Sequence, residues 1–438
     1  MISPTTKQST FLTGFNELFP RIQKSSPGWL NAIHQNGVNR FQQLGLPTPK
    51  DEEWKYTNVA SIAAKKFHIP STHTLLENDE LTAYTNDSDI LLVFVNGIFD
   101  KKLSSVSQFP AKCEILNFAD LNEKDTQFLQ PYLDKYSLQG EETFAALNRS
   151  LMHHGTVVRI ADKAIFEKLI HIVHVVSGEE HDILVSPRTL VLLGRLSEAQ
   201  ILESYISFSP VSYFTNAVTD IFLADDSKLR YYKTQGEGAN AFHIGTTRVW
   251  QERNSQLESF SFSTGAQLAR NNLTIALNGA GAGTILNGLY AATDEQLVDN
   301  HTVVDHREPN ATSNQLYKGI LDGNAKAVFN GKIFVKQIAQ KTNAYQLNKN
   351  LMLGKGCQVN TKPQLEIFAD DVKCTHGATI GQLNEDEMFY LQARAIPKKT
   401  AVKMLSRGFV NDILGRVNNE SVRKKMNHLL TNAFSVLS

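Results

Sequence analysis

Apolar residues recur along the first part of the chain at the three- and four-residue intervals of a helix face. Phe11, Phe15, Leu18 and Phe19 form one such stripe, and Trp29, Ile33 and Phe41 follow at intervals a helix pair satisfies, so residues 1 to about 85 are predicted mainly helical. From about residue 90 the texture changes to short apolar runs separated by glycine, asparagine and aspartate. Residues 90–95 end in Asn96-Gly97 and residues 170–176 in Ser177-Gly178; further runs begin at Ile183, Thr189, Ile201, Ile221, Leu229, Leu257, Leu273, Ile285, Val328 and Ile333. No long amphipathic helix interrupts residues 155–375, and many short strands with regular turn signals mean a sandwich, a barrel or a β-solenoid. Between 105 and 150, Phe118, Leu121, Phe128, Leu129 and Leu133, then residues 143–148, predict inserted helices. After Leu383 the helical period returns. Asn384 with Glu387 three residues on predicts a capped helix through Ile396, stopped by Pro397. Val402, Leu405, Phe409 and Ile413 mark one further apolar face, and Val422, Met426, Leu429 and Phe434 another.

An internal repeat favours stacking. Residues 277–292 aligned on 320–335 superpose Leu286-Asn287-Gly288 on Phe329-Asn330-Gly331, an offset of 43 residues (329 − 286). In a solenoid no unit buries its own apolar face, so neighbours supply the core and helices close the ends. The Asn-Gly pairs also suit hairpins, which keeps a conventional meander open. The organisation expected is 1–150 mainly helical with an early β segment near 90–100, 151–383 the β core, and 384–438 a helical C-terminal domain. A chain of 438 residues exceeds one ordinary core, which agrees with an elongated or multi-domain form.

Composition removes several function classes. Lysine plus arginine equals aspartate plus glutamate at 44 each, so the basic footprint of a nucleic-acid binder is missing. Three cysteines without a Cys-x-x-Cys pair give neither a disulfide framework nor a self-contained zinc or iron-sulfur site, and fit a reducing compartment. The first seven residues lack a secretory pattern and no apolar run approaches about 18 residues, so a cytoplasmic chain without a membrane segment is expected.

Candidate chemistry concentrates near the end of the β region. In the run Asp370-Asp371-Val372-Lys373-Cys374-Thr375-His376-Gly377-Ala378-Thr379, Cys374 and His376 stand two residues apart and would face the same side of a strand. An imidazole ligates iron through one nitrogen while a neighbour holds the other. On pattern alone, a structural histidine at a strand-to-turn junction is the commoner case. A free cysteine mostly behaves as a small hydrophobe, so Cys374 ranks second. Cys357 reads as a turn-side core residue, and Cys113 has no motif around it. His301, Asp305, His306 and Glu308 form the densest metal-like cluster, with His301 and Asp305 on one strand face, although most such clusters are solvated polar faces. His153-His154 and the pair His171 and His174 are weaker candidates for iron capture. Gly279-Ala280-Gly281-Ala282-Gly283-Thr284 lacks the lysine and following helix of a phosphate loop and reads as a tight corner. Asp51-Glu52-Glu53 ahead of Trp54 and Tyr56 reads as an acidic helix start feeding two aromatics into a core.

Three stretches together carry a resemblance. The run 361–379, with Lys362-Pro363-Gln364-Leu365-Glu366 leading to Cys374-Thr375-His376-Gly377, resembles the signature of the SufB/SufD family of iron-sulfur cluster assembly scaffolds. Asp51-Glu52-Glu53-Trp54-Lys55-Tyr56-Thr57 resembles its N-terminal motif, and Ser313-Asn314-Gln315-Leu316-Tyr317-Lys318-Gly319-Ile320-Leu321 its central one. The matches keep the family's order over nearly the whole chain. Leu347 stands after Gln346 where SufB-like members carry cysteine, and Thr375-His376-Gly377 where they read Glu-His-Glu, which points to the SufD branch and away from a sulfur-accepting role.

The resemblance implies a mainly β fold, a right-handed parallel β-helix flanked by N- and C-terminal α-helical domains. It implies a scaffold and no enzyme. A SufB-like subunit would pair with the late β-helix strands, a SufC-like ATPase with the C-terminal helices, and the isolated chain could form a homodimer. No cofactor of its own is expected; a transient iron-sulfur cluster would be shared with the partner, His376 supplying one ligand. Two rivals remain: a β-helix enzyme, either a polysaccharide lyase or a metal hydrolase using His301, Asp305 and His306, and a purely structural adaptor.

Overall fold

The computed structural model describes residues 10–70, 76, 78–86, 89–105, 112–135 and 142–434. The seven N-terminal residues read for a secretory pattern lie outside them. Its centre is a stack of strands in two sheets, running for about eight turns. From Glu198–Ser207 onward successive strands alternate between the sheets, every pairing is parallel, and registers run without slips. This is the parallel β-helix expected. One sheet, here sheet one, ends in Asn343–Met352 and Lys373–Gly381; the other, sheet two, ends in Lys326–Val335 and Gln358–Ile367.

Register gives the true period. Phe242 pairs with Leu268 (268 − 242 = 26) and Gly155 with Arg188 (188 − 155 = 33), so a turn takes 26 to 33 residues. The 43-residue offset seen in the sequence is therefore about a turn and a half. It superposes Gly283–Ala292 of sheet one on Lys326–Val335 of sheet two, which share the same inward and outward alternation.

Inward side chains make a continuous core in which Ile170, Ile201, Leu229, Leu257, Leu286 and Phe329 are buried. The outer faces are covered by helices. Thr10–Ser25, Asn31–Leu44 and Thr143–Leu151 bury Phe11, Phe15, Phe41 and Phe144 against Phe214, Phe242, Ile244 and Leu268 of sheet two. Lys398–Leu414 and Glu420–Ala433 fold back and bury Val410, Ile413, Val422, Met426 and Leu429 against Phe260, Phe262, Leu289 and Leu316 of sheet one. Sequence periodicity thus found both sets of helices, and the sheets they cover follow from the apolar outward positions.

Several local expectations change. The sheets begin before residue 151: Ile90–Val95 pairs in parallel with Ile165–Val176, and Cys113–Asn117 pairs antiparallel with Gly155–Ile160. Asn384 does cap a helix, accepting from the backbone of Asp386 at 2.8 Å and Glu387 at 3.2 Å, but that helix is Glu385–Gln392 and stops short of Ile396. Ala395, with φ of 62°, turns the chain out of the helix; Pro397 instead sits at the N-cap of Lys398–Leu414, where its missing N–H costs nothing. At the corner 279–284 a Cβ on Gly279 would meet the backbone of Arg253 in the preceding turn, so close stacking of corners demands glycine there.

The acidic run at 51 opens only a single 3-10 turn, Glu52–Trp54. Trp54 packs against the N-terminal core and under the Arg270 guanidinium, 3.7 Å from its ring centre, whereas Tyr56 stays exposed. The segment is a clasp across sheet two. Thr57 donates to Asp299 at 2.5 Å, Asn330 donates to Glu53 at 3.0 Å, and Lys362 donates to Glu52 at 2.6 Å. It reaches from the middle of the rod to its last turn.

Candidate functional site

Lys373–Gly381 and Gln358–Ile367 each have a neighbouring strand on one side only. Their opposite edges present backbone groups with no partner strand among the described residues. Such edges are pairing surfaces unless blunted. Pro363 removes one donor from Gln358–Ile367, and Lys362 adds charge there; Lys373–Gly381 contains no proline. Residues around this end leave large apolar side chains in solvent: Tyr345, Ile367, Phe368 and Ile380 on the β turns, Phe389 and Tyr390 on the helix that follows.

His376 lies in the middle of Lys373–Gly381 and is exposed. It pairs in register with Gln346, whose side chain is fully buried and bonds within the rod. In-register parallel stacking puts like positions on the same face, so His376 belongs to the inner column of sheet one at the turn where that interior opens. Cys374 shares the face, as the two-residue spacing requires. It registers with buried Ala344, packs partly against the cluster of Ile333, Val335 and Ala369, and its thiol is pushed up by burial. Imidazole and thiol are therefore neighbours at the open end, the first in solvent, the second half-covered.

The cluster at 301–306 does not converge. His301 and Asp305 do share the outer face of Leu297–His306, but four residues at about 3.3 Å each separate them by about 13 Å. His301 bonds Asp299 at 3.0 Å and Glu53 at 3.2 Å; Asp305 takes Arg307 at 2.6 Å. His306 faces inward, its Nε2 2.9 Å from Ser313 Oγ, and burial pushes its pKa down to about 4. Among the described residues no group of three or more histidine, cysteine or acidic side chains is placed to hold a metal ion. The other candidate histidines are likewise committed or divided. His171 meets Ser204 Oγ at 2.8 Å while His174, on the opposite strand face, lies 3.5 Å from Glu203; His153 meets Ser26 at 3.1 Å, and burial lowers His154 to about 4. Cys113 is buried in the first turns, its thiol pushed up to about 12 by burial, and the half-buried Cys357 packs against the core with its thiol 3.6 Å from the carbonyl of Gly323.

A cavity of about 480 Å³ lies between the N-terminal helices and sheet two, lined by Trp54, Glu142, Arg248, Arg270 and His301. Its arginines are already engaged: Arg248 holds Asp220 at 2.6 and 2.9 Å, and Arg270 holds Asp299 at 2.8 Å. Burial raises Glu142 against the pull of those arginines.

Sequence reasoning missed an amide column behind His376. Gln346 Nε2 donates to Gln315 Oε1 at 3.1 Å, and Gln315 Nε2 to Thr302 Oγ1 at 2.6 Å. The Gln-Leu pairs 315–316 and 346–347 recur at one turn's spacing (346 − 315 = 31), a signal too short to notice without the period.

A long strand rod, helices on its flanks and exposed ligand chemistry at one bare end define a docking scaffold. The family comparison agrees. The model described as SUF system FeS cluster assembly, SufBD core domain matches residues 174–409, and that of the SufBD protein N-terminal region matches 5–172. The chain is 31% identical over 420 residues to the iron-sulfur cluster assembly protein SufD of Escherichia coli, covering 93% of this chain and 96% of that one. It is 31% identical over 416 residues to the iron-sulfur cluster assembly SufBD family protein slr0076 of Synechocystis, covering 90% and 88%. The chloroplastic protein ABCI7 of Arabidopsis thaliana is 30% identical over 413 residues, covering 91% and 85%. This chain belongs to the SufB/SufD family, scaffold subunits of the SUF iron-sulfur cluster assembly system. No described helix is long and apolar enough to cross a membrane.

Proposed function

We propose that the chain is the SufD-type subunit and contributes His376 as one ligand to a cluster built at its junction with a SufB-like subunit. The observation that carries this is the exposed imidazole on an unpaired edge strand. A strand from the partner added to Lys373–Gly381 would satisfy the open backbone groups and cover Ile380 and Tyr345, leaving His376 at the seam. One imidazole cannot hold a cluster, so the remaining ligands come from the partner, with Cys374 the secondary candidate on this side. The cluster is cargo and not a resident cofactor.

The C-terminal helices are the proposed dock for a SufC-like ATPase. Phe389, 73% exposed, and Met404 lie on successive helices there, and Arg394 stacks over Tyr390 at 3.5 Å. ATP-driven movement of that subunit would shift the two scaffold chains and open the seam. Alone, the chain would pair with a second copy through the same edge. A cytoplasmic scaffold without catalysis of its own fits these roles. The enzyme reading is weaker because the arginines of the interior cavity are already paired with Asp220 and Asp299 and the cluster at 301–306 is dispersed.

His376→Ala decides the central claim. In the reconstituted complex it should leave assembly of the subunits intact and abolish cluster build-up, read by visible absorption; normal build-up would reject the role.

A further inference from the structure

The inner column of sheet one changes character toward the open end. It is apolar at Ile170 and Ile201 and again at Leu286, then runs Gln315, Gln346, His376 in consecutive turns. The two amides point the same way. Thr302 Oγ1 receives Gln315 Nε2 at 2.6 Å, and Gln315 Oε1 receives Gln346 Nε2 at 3.1 Å. Rotating Gln346 would set oxygen against oxygen, so its amide orientation is fixed by the chain beneath it. Gly331, across the interior in sheet two, makes the room: a Cβ there would fall on the Gln346 amide nitrogen. What is left over is Gln346 Oε1. It is buried and has no hydrogen-bond partner, a state native interiors rarely tolerate. The next residue of the column, about 4.8 Å further along, is His376. On the opposite sheet Gly331 is followed by Pro363, which brings no donor.

We infer that Gln346 is the positioning residue for His376, its Oε1 accepting one ring N–H and so turning the lone pair of the other ring nitrogen out of the open end. This rests on the ligand role proposed above and adds how the ligand is oriented. A neutral imidazole has one donor nitrogen and one lone pair, and either can be either. An acceptor fixed inside the rod removes that choice: the inward nitrogen carries the proton, and the outward nitrogen is the one that binds metal. The same acceptor makes the outward nitrogen a better electron donor. Three residues, Thr302, Gln315 and Gln346, thus set the direction of a ligand that only the last of them would touch.

The test uses the full-length chain with 15N-labelled histidine at about pH 8, where imidazole is neutral, the His376 resonances being assigned from the His376→Asn variant. The expected wild-type result is one dominant tautomer with a slowly exchanging N–H. Gln346→Met should populate both tautomers and lower cluster build-up in the reconstituted complex by about tenfold or more, whereas Gln346→Glu, which keeps an acceptor, should retain the single tautomer. Two populated tautomers in the wild-type chain would overturn the inference even if Gln346→Met did not fold, and so would an unchanged tautomer in Gln346→Met. The ligand role fails separately: it falls if His376→Ala assembles clusters normally, and that outcome leaves the tautomer measurement standing.

Discussion

Replacing Arg270 with methionine should weaken the attachment of the N-terminal helices to the rod by about 3–5 kcal/mol, the usual cost of leaving a buried charge without its partner. Asp299 is 0% exposed, and its carboxylate is held by Arg270 Nη1 at 2.8 Å, by Thr57 at 2.5 Å and by His301 at 3.0 Å. Burial alone would raise its pKa; the charges of His301 and Arg270 and the hydrogen bonds from His301 and Thr57 outweigh that and hold it down. Methionine keeps most of the stem's packing but removes the guanidinium, so the loss is chiefly electrostatic. The Trp54 ring loses its stacked cation as well, a further ~1 kcal/mol. Urea denaturation gives the total, and amide exchange across residues 51–57 shows whether the clasp opens first. The decisive control is Arg270→Met with Asp299→Asn, in which no charge is orphaned; it should recover part of the loss. A single-variant cost under about 1 kcal/mol, or a double variant as unstable as the two single losses added together, would refute this account of the clasp.

Gly331→Ala should cost about 1–3 kcal/mol, because the added methyl occupies the space of the Gln346 amide inside a packed turn; an unchanged thermal midpoint would contradict that packing. His306 gives a pH signature. Its folded pKa, about 4, lies below the unfolded value near 6.5, so the native state binds fewer protons in that window and stability present above pH ~6.5 is lost as the pH falls toward ~4. At about 1.36 kcal/mol per unit the full loss is about 3 kcal/mol, and His306→Gln should flatten the acid limb when urea midpoints are compared across the window.

How legible these features are depends on the distance over which each is specified. The helices of both ends show in the spacing of Phe11, Phe15 and Leu18 and of Val422, Met426 and Leu429, because helix burial repeats every few residues and leaves a local trace. Strand alternation likewise puts Cys374 beside His376. The turn length is harder to see, since it varies between 26 and 33 residues and the best local match, Asn287-Gly288 with Asn330-Gly331, joins opposite sheets. Same-face logic grouped His301 with Asp305, but it says nothing about the 13 Å between them or about His306 facing inward. Contacts such as Glu53 with Asn330 or Gln346 with Gln315 join residues whose proximity exists only once the turns are stacked.

The rod's two ends are unlike. At the start the sheets finish in the short antiparallel strands Ile98–Asp100 and Cys113–Asn117, while at the finish both sheets stop on parallel strands with free edges. The starting edges offer ladders of only 3 and 5 residues and the finishing edges 10 and 9, so pairing with another chain is favoured at the finish. Under the edge pairing proposed above, two such rods meeting tip to tip would use up both long edges and leave only the short ones, which disfavours a fibre.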